Sequence, residues 1–272
     1  MEAHVLYMSK VSFETRIFMG ALEGKTAIIS GGGTGIGSAI ASRFHPEGAK
    51  VVICGRRVEK LEETASKITS DGKSFFIIRA DVTAESDIVR VAEFTLENTG
   101  RIDLLVNNAG THGRRDHTIT PVLELSHPEW ERIISTNLTS AFLFTKAVLP
   151  VMIGQRYGNI LNISSLAAKT GGLVNGAHYV ASKAGMMGLT KSLARGYAYA
   201  NIRVNTLCLG RFETPSNVNV PEEFHKRVIS QIPLGRLGTL KEAANAALFL
   251  VSDASSYVTG ANLDINGGWT MD

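Results

Sequence analysis

The sequence predicts an α/β domain, a doubly wound seven-stranded parallel sheet with helices on both faces. Three observations lead there. Seven short apolar runs alternate with stretches of helical character, the pattern of successive βαβ units. The runs are apolar without alternation, as strands buried on both faces are. No linker-like stretch or fixed-period repeat interrupts the series, so residues 21–272 form one domain.

The elements follow in order. Lys25 to Ser30 is an apolar run closed by glycines and reads as the first strand. Gly35 to Phe44 is a helix that stops near Pro46 and Gly48. Lys50 to Cys54 is a strand, and Val58 to Thr69 an amphipathic helix. Ser74 to Arg79, the helix Ala84 to Asn98 and the strand Ile102 to Val106 continue the alternation. Pro128 to Met152 is a long helix, and Gly158 to Ile163 the fifth strand. His178 to Tyr199 is a second long helix, followed by the strand Ile202 to Leu207. Pro221 to Gln231 and Lys241 to Val251 are helical, and Asn262 to Ile265 is the last strand. Met1 to Met19 mixes Glu2, Lys10, Glu14 and Arg16 without periodicity, so residues 1–20 read as a flexible extension or the product of an upstream start codon. No secretory signal is expected, and two acids among two basic residues weaken the alternative of a mitochondrial presequence.

Composition narrows the function classes. The chain of 272 residues is 44% apolar and 19% charged, which suits a globular fold and not a disordered one. Lys+Arg is 28 against 25 for Asp+Glu, with no long basic run, so no nucleic-acid partner is expected. No apolar run approaches the roughly 20 residues of a membrane span, so no membrane partner is expected. Cys54 and Cys208 form neither a disulfide framework nor a metal cluster. They fit a reducing compartment, and the expected location is cytoplasmic.

The turn Ser30-Gly31-Gly32-Gly33-Thr34-Gly35-Ile36-Gly37 lies between the first strand and the first helix. Glycine lets backbone approach a pyrophosphate, and the helix behind it offers free N–H groups and the positive end of its dipole. In this strand–turn–helix setting the spacing of Gly31, Gly35 and Gly37 points to dinucleotide binding on a Rossmann fold. Gly33, Thr34 and Ile36 complete the expected contact set. The second strand ends Cys54-Gly55-Arg56-Arg57, with no acid at its tip. Arginine there suits a 2′-phosphate, so Arg56 and Arg57 favour NADP(H) over the alternative, NAD(H). Asp81 and Val82 follow the third strand and are expected beside the adenine. Asn108, Ala109 and Gly110 follow the fourth, at the carboxyl edge where ligands bind open α/β sheets.

Tyr179 and Lys183 stand one helical turn apart on one face. A phenol has an ordinary pKa of about 10. A nearby ammonium, with the positive ring of an oxidised nicotinamide, favours its phenolate. Ser164-Ser165 adds a hydroxyl that can polarise a carbonyl, and Asn137 places an amide in the preceding long helix.

With these residues the chain resembles the short-chain dehydrogenase/reductase family over nearly all of residues 21–272. The glycine turn, Asn107-Asn108-Ala109-Gly110, Asn137, Ser165, Tyr179 with Lys183, and Gly210 followed by Thr214 carry the resemblance. So do Gly235-Arg236-Leu237-Gly238, Tyr257-Val258-Thr259-Gly260 and Asn266-Gly267-Gly268. The branch it resembles most is that of the 3-oxoacyl-carrier-protein reductases. The resemblance implies that Tyr179 exchanges a proton with the carbonyl oxygen and Ser165 hydrogen-bonds it. It implies that Lys183 acidifies the phenol and binds the nicotinamide ribose, and that Asn137 holds a water joining Lys183 to solvent. Gly210, Phe212 and Thr214 are expected to frame the nicotinamide. Residues 211–231 resemble the family's substrate lid, and its cations Arg211, Lys226 and Arg227 either attract an anionic substrate or belong to an ordinary solvated helix. A homotetramer through the two long helices is implied as well. An acyl carrier protein is a candidate partner, although Arg156 fits a basic docking position and Ala200 does not.

Two departures bear on the site. Ser30 replaces a usual threonine and keeps the hydroxyl, and Leu209 replaces a proline, which is expected to loosen the turn before Gly210. His178 adjoins Tyr179 but points about 100° away on a helix, so it is a poor rival base. His112 and His117 lack metal-ligand spacing, and no metal is expected. Their loop, Thr111 to Leu125 with Arg114, Arg115 and Asp116, is expected to wall the substrate pocket. The expected activity is hydride transfer between NADP(H) and a ketone or secondary alcohol. A 3-oxoacyl thioester leads the candidate substrates, ahead of a small ketone, sugar or steroid. The competing readings are an NAD-dependent alcohol dehydrogenase and a catalytically silent NADP-binding sensor or scaffold.

Overall fold

The computed structural model describes residues 20–69, 73–112, 120–172, 175–215 and 222–271. All but the last residue of the N-terminal extension lies outside these. So do Arg114, Arg115, Asp116 and His117 of the loop and residues 216–221 of the lid segment.

Seven parallel strands are laid down in the order β3-β2-β1-β4-β5-β6-β7. They are β1 (Thr26–Ser30), β2 (Lys50–Gly55), β3 (Phe75–Arg79), β4 (Leu104–Asn107), β5 (Gly158–Ser165), β6 (Ile202–Leu209) and β7 (Asn262–Ile265). The helices between them are α1 (Gly35–Phe44), α2 (Val58–Ile68), α3 (Glu85–Thr99), α4 (His127–Ile134), α5 (Ser140–Gln155), α6 (Ala167–Thr170), α7 (Ala177–Tyr197), α8 (Glu222–Ile229) and α9 (Leu240–Val251). Successive strand residues face opposite ways, so the sheet feeds two cores. Ala27, Ile29, Val51 and Ile53 pack with Ile40 and Phe44 of α1 and Ala247 of α9. Ile28, Val52 and Cys54 pack with Val91 of α3, Phe144 and Val148 of α5 and Leu193 of α7. The chain steps outward from β1 to β3 and then crosses back to β4, so β1 and β4 flank the point where the winding reverses. Open sheets of this kind form their crevice there.

The structure corrects several expectations. The helix predicted over Pro128 to Met152 is interrupted by a π-helical turn, Ser135–Thr139, which joins α4 to α5 and contains Asn137. As one unit, His127–Gln155 is long and apolar enough to cross a membrane by length and composition, a point the strand-by-strand reading missed. Its apolar residues instead pack on α3, β4, β5 and α7. β5 runs on to Ser165, and β6 to Leu209, which pairs with Ile265. Leu209 therefore closes a regular strand and does not loosen the turn.

Nor are the central strands apolar throughout. Asn107 Nδ2 donates to Asn162 Oδ1 at 2.8 Å, and Asn162 Nδ2 donates to Thr190 Oγ1 at 2.8 Å. Thr206 Oγ1 donates to the same oxygen at 2.7 Å, and Thr190 Oγ1 donates to Met186 O at 3.0 Å. The Thr190 hydroxyl, fully buried, thus spends its one proton and both lone pairs. This network locks β4, β5 and β6 to α7, the helix that carries Tyr179 and Lys183. Thr190→Val keeps the shape but strands two buried donors, Asn162 Nδ2 and the Thr206 hydroxyl. It should lower stability by about 2 kcal/mol. The urea midpoint reads this directly, and an unshifted midpoint would show that the donors find other partners.

Candidate active site

One cavity of about 760 Å³ opens along the carboxyl edge of the sheet. Of the catalytic and cofactor-binding residues named from the sequence, all but Gly37 and Asn137 line it. At one end is the glycine turn. Gly31 and Gly35 have φ of +67° and +57°, values that disfavour side chains. A Cβ on Gly37 would lie 2.4 Å from Gly31 O, so Gly37 packs beneath the turn and lets α1 start against it. Thr34 places no side-chain cap on α1, which leaves its first N–H groups for a ligand. The carbonyl of Cys54 receives Gly31 N and Gly32 N at 2.8 and 3.3 Å and ties the turn to β2.

A second tie joins the turn to β4. Ser30 Oγ donates to Val106 O at 3.3 Å and accepts from Asn108 N at 3.1 Å and Ala109 N at 3.0 Å. Asn108 Nδ2 donates to Ser30 O at 2.9 Å and to Gly31 O at 3.1 Å. Asn108 is therefore both a cavity wall and a clamp on the turn, a role its position in sequence did not reveal.

Arg56 and Arg57 stand exposed beyond β2 at this end of the cavity. Asp81 is the single carboxylate among the described lining residues. Hydrogen bonds from the Thr83 N–H and hydroxyl, and then the nearby Arg56 charge, hold its carboxyl below the usual range. Lys60 also borders the cavity here, a cation that sequence reading passed over.

At the other end stand Ser165, Tyr179 and Lys183. Lys183 is 4% exposed, and its Nζ donates to Ile163 O at 2.7 Å. Burial pushes its pKa down to about 8. Nζ lies 5.9 Å from the centroid of the Tyr179 ring. Gly110 adjoins it, the place a Cβ would take lying 3.5 Å from Nζ, an ordinary contact distance. The two adjacent serines separate by role. Ser164 Oγ donates to Lys183 O at 2.9 Å and braces α7, whereas Ser165 Oγ accepts from Ala167 N at 3.2 Å at the cavity wall. The imidazole of His112 packs on the Tyr179 ring with centroids 5.1 Å apart.

Asn137 stands behind the cavity wall and does not line it. It is fully buried, and its Nδ2 donates to Thr111 O at 3.0 Å and Ser182 Oγ at 3.1 Å. Its Oδ1 accepts from Thr111 N at 2.8 Å. The amide braces the cavity wall against α7 with both of its protons. Of the lid cations, Lys226 and Arg227 lie on the exposed face of a solvated helix. Lys226 pairs with Glu222 on its own helix at 3.0 Å, and Arg227 packs on Phe224. Of the three, only Arg211 lines the cavity. Ala200 is buried and takes no part in a docking surface. Burial raises the thiols of Cys54 and Cys208 to about 12. Among the described residues no group of three His, Cys, Asp or Glu side chains could hold a metal.

Lys183 couples this site to stability. Its folded pKa of about 8 lies below the ordinary 10.5, so between these values the unfolded chain binds the proton more tightly. The burial penalty is complete below about pH 8 and relaxes as pH rises toward 10.5, so stability should climb across that window. Lys183→Met should remove the climb and stabilise the unliganded protein by roughly 1–3 kcal/mol near neutral pH. Urea titrations at two pH values check this; a destabilised Met variant would refute it.

Comparison with known proteins agrees with this geometry. The family model described as enoyl-(acyl carrier protein) reductase matches residues 31–270. The 3-oxoacyl-[acyl-carrier-protein] reductase FabG of Thermotoga maritima is 39% identical, over 91% of this chain and 98% of the relative. The Escherichia coli protein of the same name is 38% identical, over 92% and 98%. A crystal structure of a short-chain dehydrogenase/reductase, glucose/ribitol dehydrogenase, from Brucella melitensis superposes with a TM-score of 0.84. It is 34% identical and covers 93% of this chain and 99% of that one. With its winding reversal, glycine turn and Ser165–Tyr179–Lys183 set on one cavity, the chain belongs to the short-chain dehydrogenase/reductase family, oxidoreductases that bind a nicotinamide cofactor.

Proposed function

We propose that the chain interconverts a ketone and a secondary alcohol with NADP(H), and that a 3-oxoacyl thioester is the carbonyl substrate. The observation that carries the reading is the continuity of the cavity, with Arg56 and Arg57 at one end and Tyr179, Ser165 and Lys183 at the other. The cofactor fits what this chain presents: a glycine-rich turn, an uncapped helix start and two guanidinium groups where a ribose-binding acid would stand. The bound cofactor supplies or accepts the hydride at its nicotinamide ring.

The chain's own residues do the rest. Arg56 and Arg57 neutralise a 2′-phosphate, and Asp81 with Val82 borders the adenine. Gly210, Phe212 and Thr214 confine the nicotinamide. Ser165 Oγ hydrogen-bonds the substrate oxygen, and the Tyr179 phenol gives that oxygen a proton in reduction and recovers it in oxidation. The buried Lys183 ammonium favours the phenolate and holds the ribose. Asn137 keeps Thr111 against α7 and so preserves the wall beside Lys183. From the start of the lid segment Arg211 lines the cavity as the cation in reach of an anionic group of the substrate.

The names of the FabG relatives support the thioester. The free, buried thiols of Cys54 and Cys208 suit a cytoplasmic enzyme. A silent scaffold would have no use for the joint retention of Asn137, Ser165, Tyr179 and Lys183 in one cluster. Pairing of the long helices would give a homotetramer, which light scattering tests; a monomer at working concentration would remove this part of the reading.

Tyr179→Phe should cut NADPH-dependent ketone reduction by at least about 100-fold while NADPH affinity stays within about twofold. Persistent turnover would show that another group gives the proton. Arg56→Asp should weaken NADPH by about tenfold or more and leave NADH nearly untouched. Equal losses for both cofactors, measured by fluorescence titration, would defeat the 2′-phosphate assignment.

A further inference from the structure

The helix that carries Tyr179 starts without an ordinary cap. Gly176 stands at the N-cap of α7 and has no side chain to receive the N–H groups of the first turn. One of those donors belongs to Tyr179. It points at the neighbouring ring: Tyr179 N donates to His178 Nδ1 at 2.8 Å and to Gly176 O at 3.0 Å. His178 thereby does for α7 what serine or aspartate does at the start of other helices.

This imidazole is 1% exposed and does not line the cavity. Because Nδ1 accepts, the hydrogen-bond pattern assigns the ring proton to Nε2. Nε2 faces Glu129 Oε1 on α4 at 4.0 Å, and Glu129 is itself buried. That separation is too long for a hydrogen bond, but attraction between a ring N–H and a carboxylate is strong where water is excluded. One turn further along α4, Ile133 packs on Tyr179 and Ala167. A Cβ on Gly176 would fall 2.8 Å from His178 Cε1 and 3.0 Å from Nδ1. The glycine at the cap is what gives the ring its seat.

We propose that His178, seated between the Tyr179 amide and the Glu129 carboxylate, is a positioning residue that fixes the first turn of α7 and with it the reacting phenol. The first turn of a helix frays readily, while a catalytic group must hold its place to within about 0.5 Å. His178 meets that demand from behind, without touching substrate or cofactor. The proposal rests on the reading of Tyr179 as the proton donor.

Three variants separate positioning from simple packing. His178→Phe keeps a ring of similar size but loses both nitrogens. His178→Asn restores an acceptor for the Tyr179 N–H. Gly176→Ala leaves every functional group in place and evicts the imidazole. The Phe and Ala variants should lower kcat for ketone reduction roughly 10- to 100-fold, with KM and NADPH affinity within about threefold. His178→Asn should recover most of the loss. In the unliganded protein, hydrogen exchange at the Tyr179 amide should quicken about tenfold in the Phe and Ala variants and return toward normal in the Asn variant. Unchanged kcat in His178→Phe, or an Asn variant as slow as the Phe variant, would overturn the proposal. If His178→Phe does not give a cooperative melt, Gly176→Ala and Glu129→Gln carry the same readouts. The exchange measurement needs no substrate. Should the native protein reduce no ketone, failing the functional reading, an unquickened Tyr179 amide would separately sink the positioning claim.

Discussion

The site depends first on a clasp between two strand ends. β1 and β4 meet where the winding of the sheet reverses, and the crevice exists because the helices after them leave in opposite directions. Left to themselves, the two loops there would be separate and mobile. The Ser30 hydroxyl uses its single proton and both acceptor sites across that boundary, and the Asn108 amide returns both of its protons to the β1 side. The glycine turn and the segment Asn108 to Gly110 thus move as one body. A threonine in place of Ser30 would keep the same oxygen, which is why that departure costs the structure nothing.

The second constraint is the ammonium within the wall. Lys183 is desolvated, and the Ile163 carbonyl is the hydrogen-bond partner that holds it. A buried charge persists only where the surroundings are built to hold it. Here they are: Ser164 and the Asn162–Thr190–Thr206 network bind α7 to β5 and β6 along its length. The polar groups hidden among the central strands therefore support the candidate site at one remove.

The fold was legible because its signals are local and repeated. Apolar runs bounded by glycine mark parallel strands, and each of the seven was found within a few residues. The glycine turn and the Tyr179–Lys183 pair were legible for the same reason, since their spacing alone places them. What the sequence hid needs the third dimension. Nothing local distinguishes Ser164 from Ser165; their roles diverge because alternate strand residues face α7 and the cavity. Asn107 and Asn162 read as flaws in apolar strands until the partner strand and helix are in place. The π turn around Asn137 has no composition of its own. His178 was correctly set apart from the reacting face, but its use as a cap depends on the missing Cβ of Gly176 and on Glu129, 49 positions away in the chain.

The π turn at Ser135–Thr139 has a consequence for the geometry of the whole long helix. A wide turn accommodates an additional residue, so it resets the angular phase between α4 on one side and α5 on the other. Upstream, that phase aims Glu129 and Ile133 at α7; downstream, it aims Phe144 and Val148 into the sheet. A regular α-helix of the same sequence could satisfy only one of these orientations. Removing a single residue here would swing the entire upstream half by about 100° and turn its apolar face to water. The helix acts as two blades set on one shaft, and the irregular turn is the offset between them.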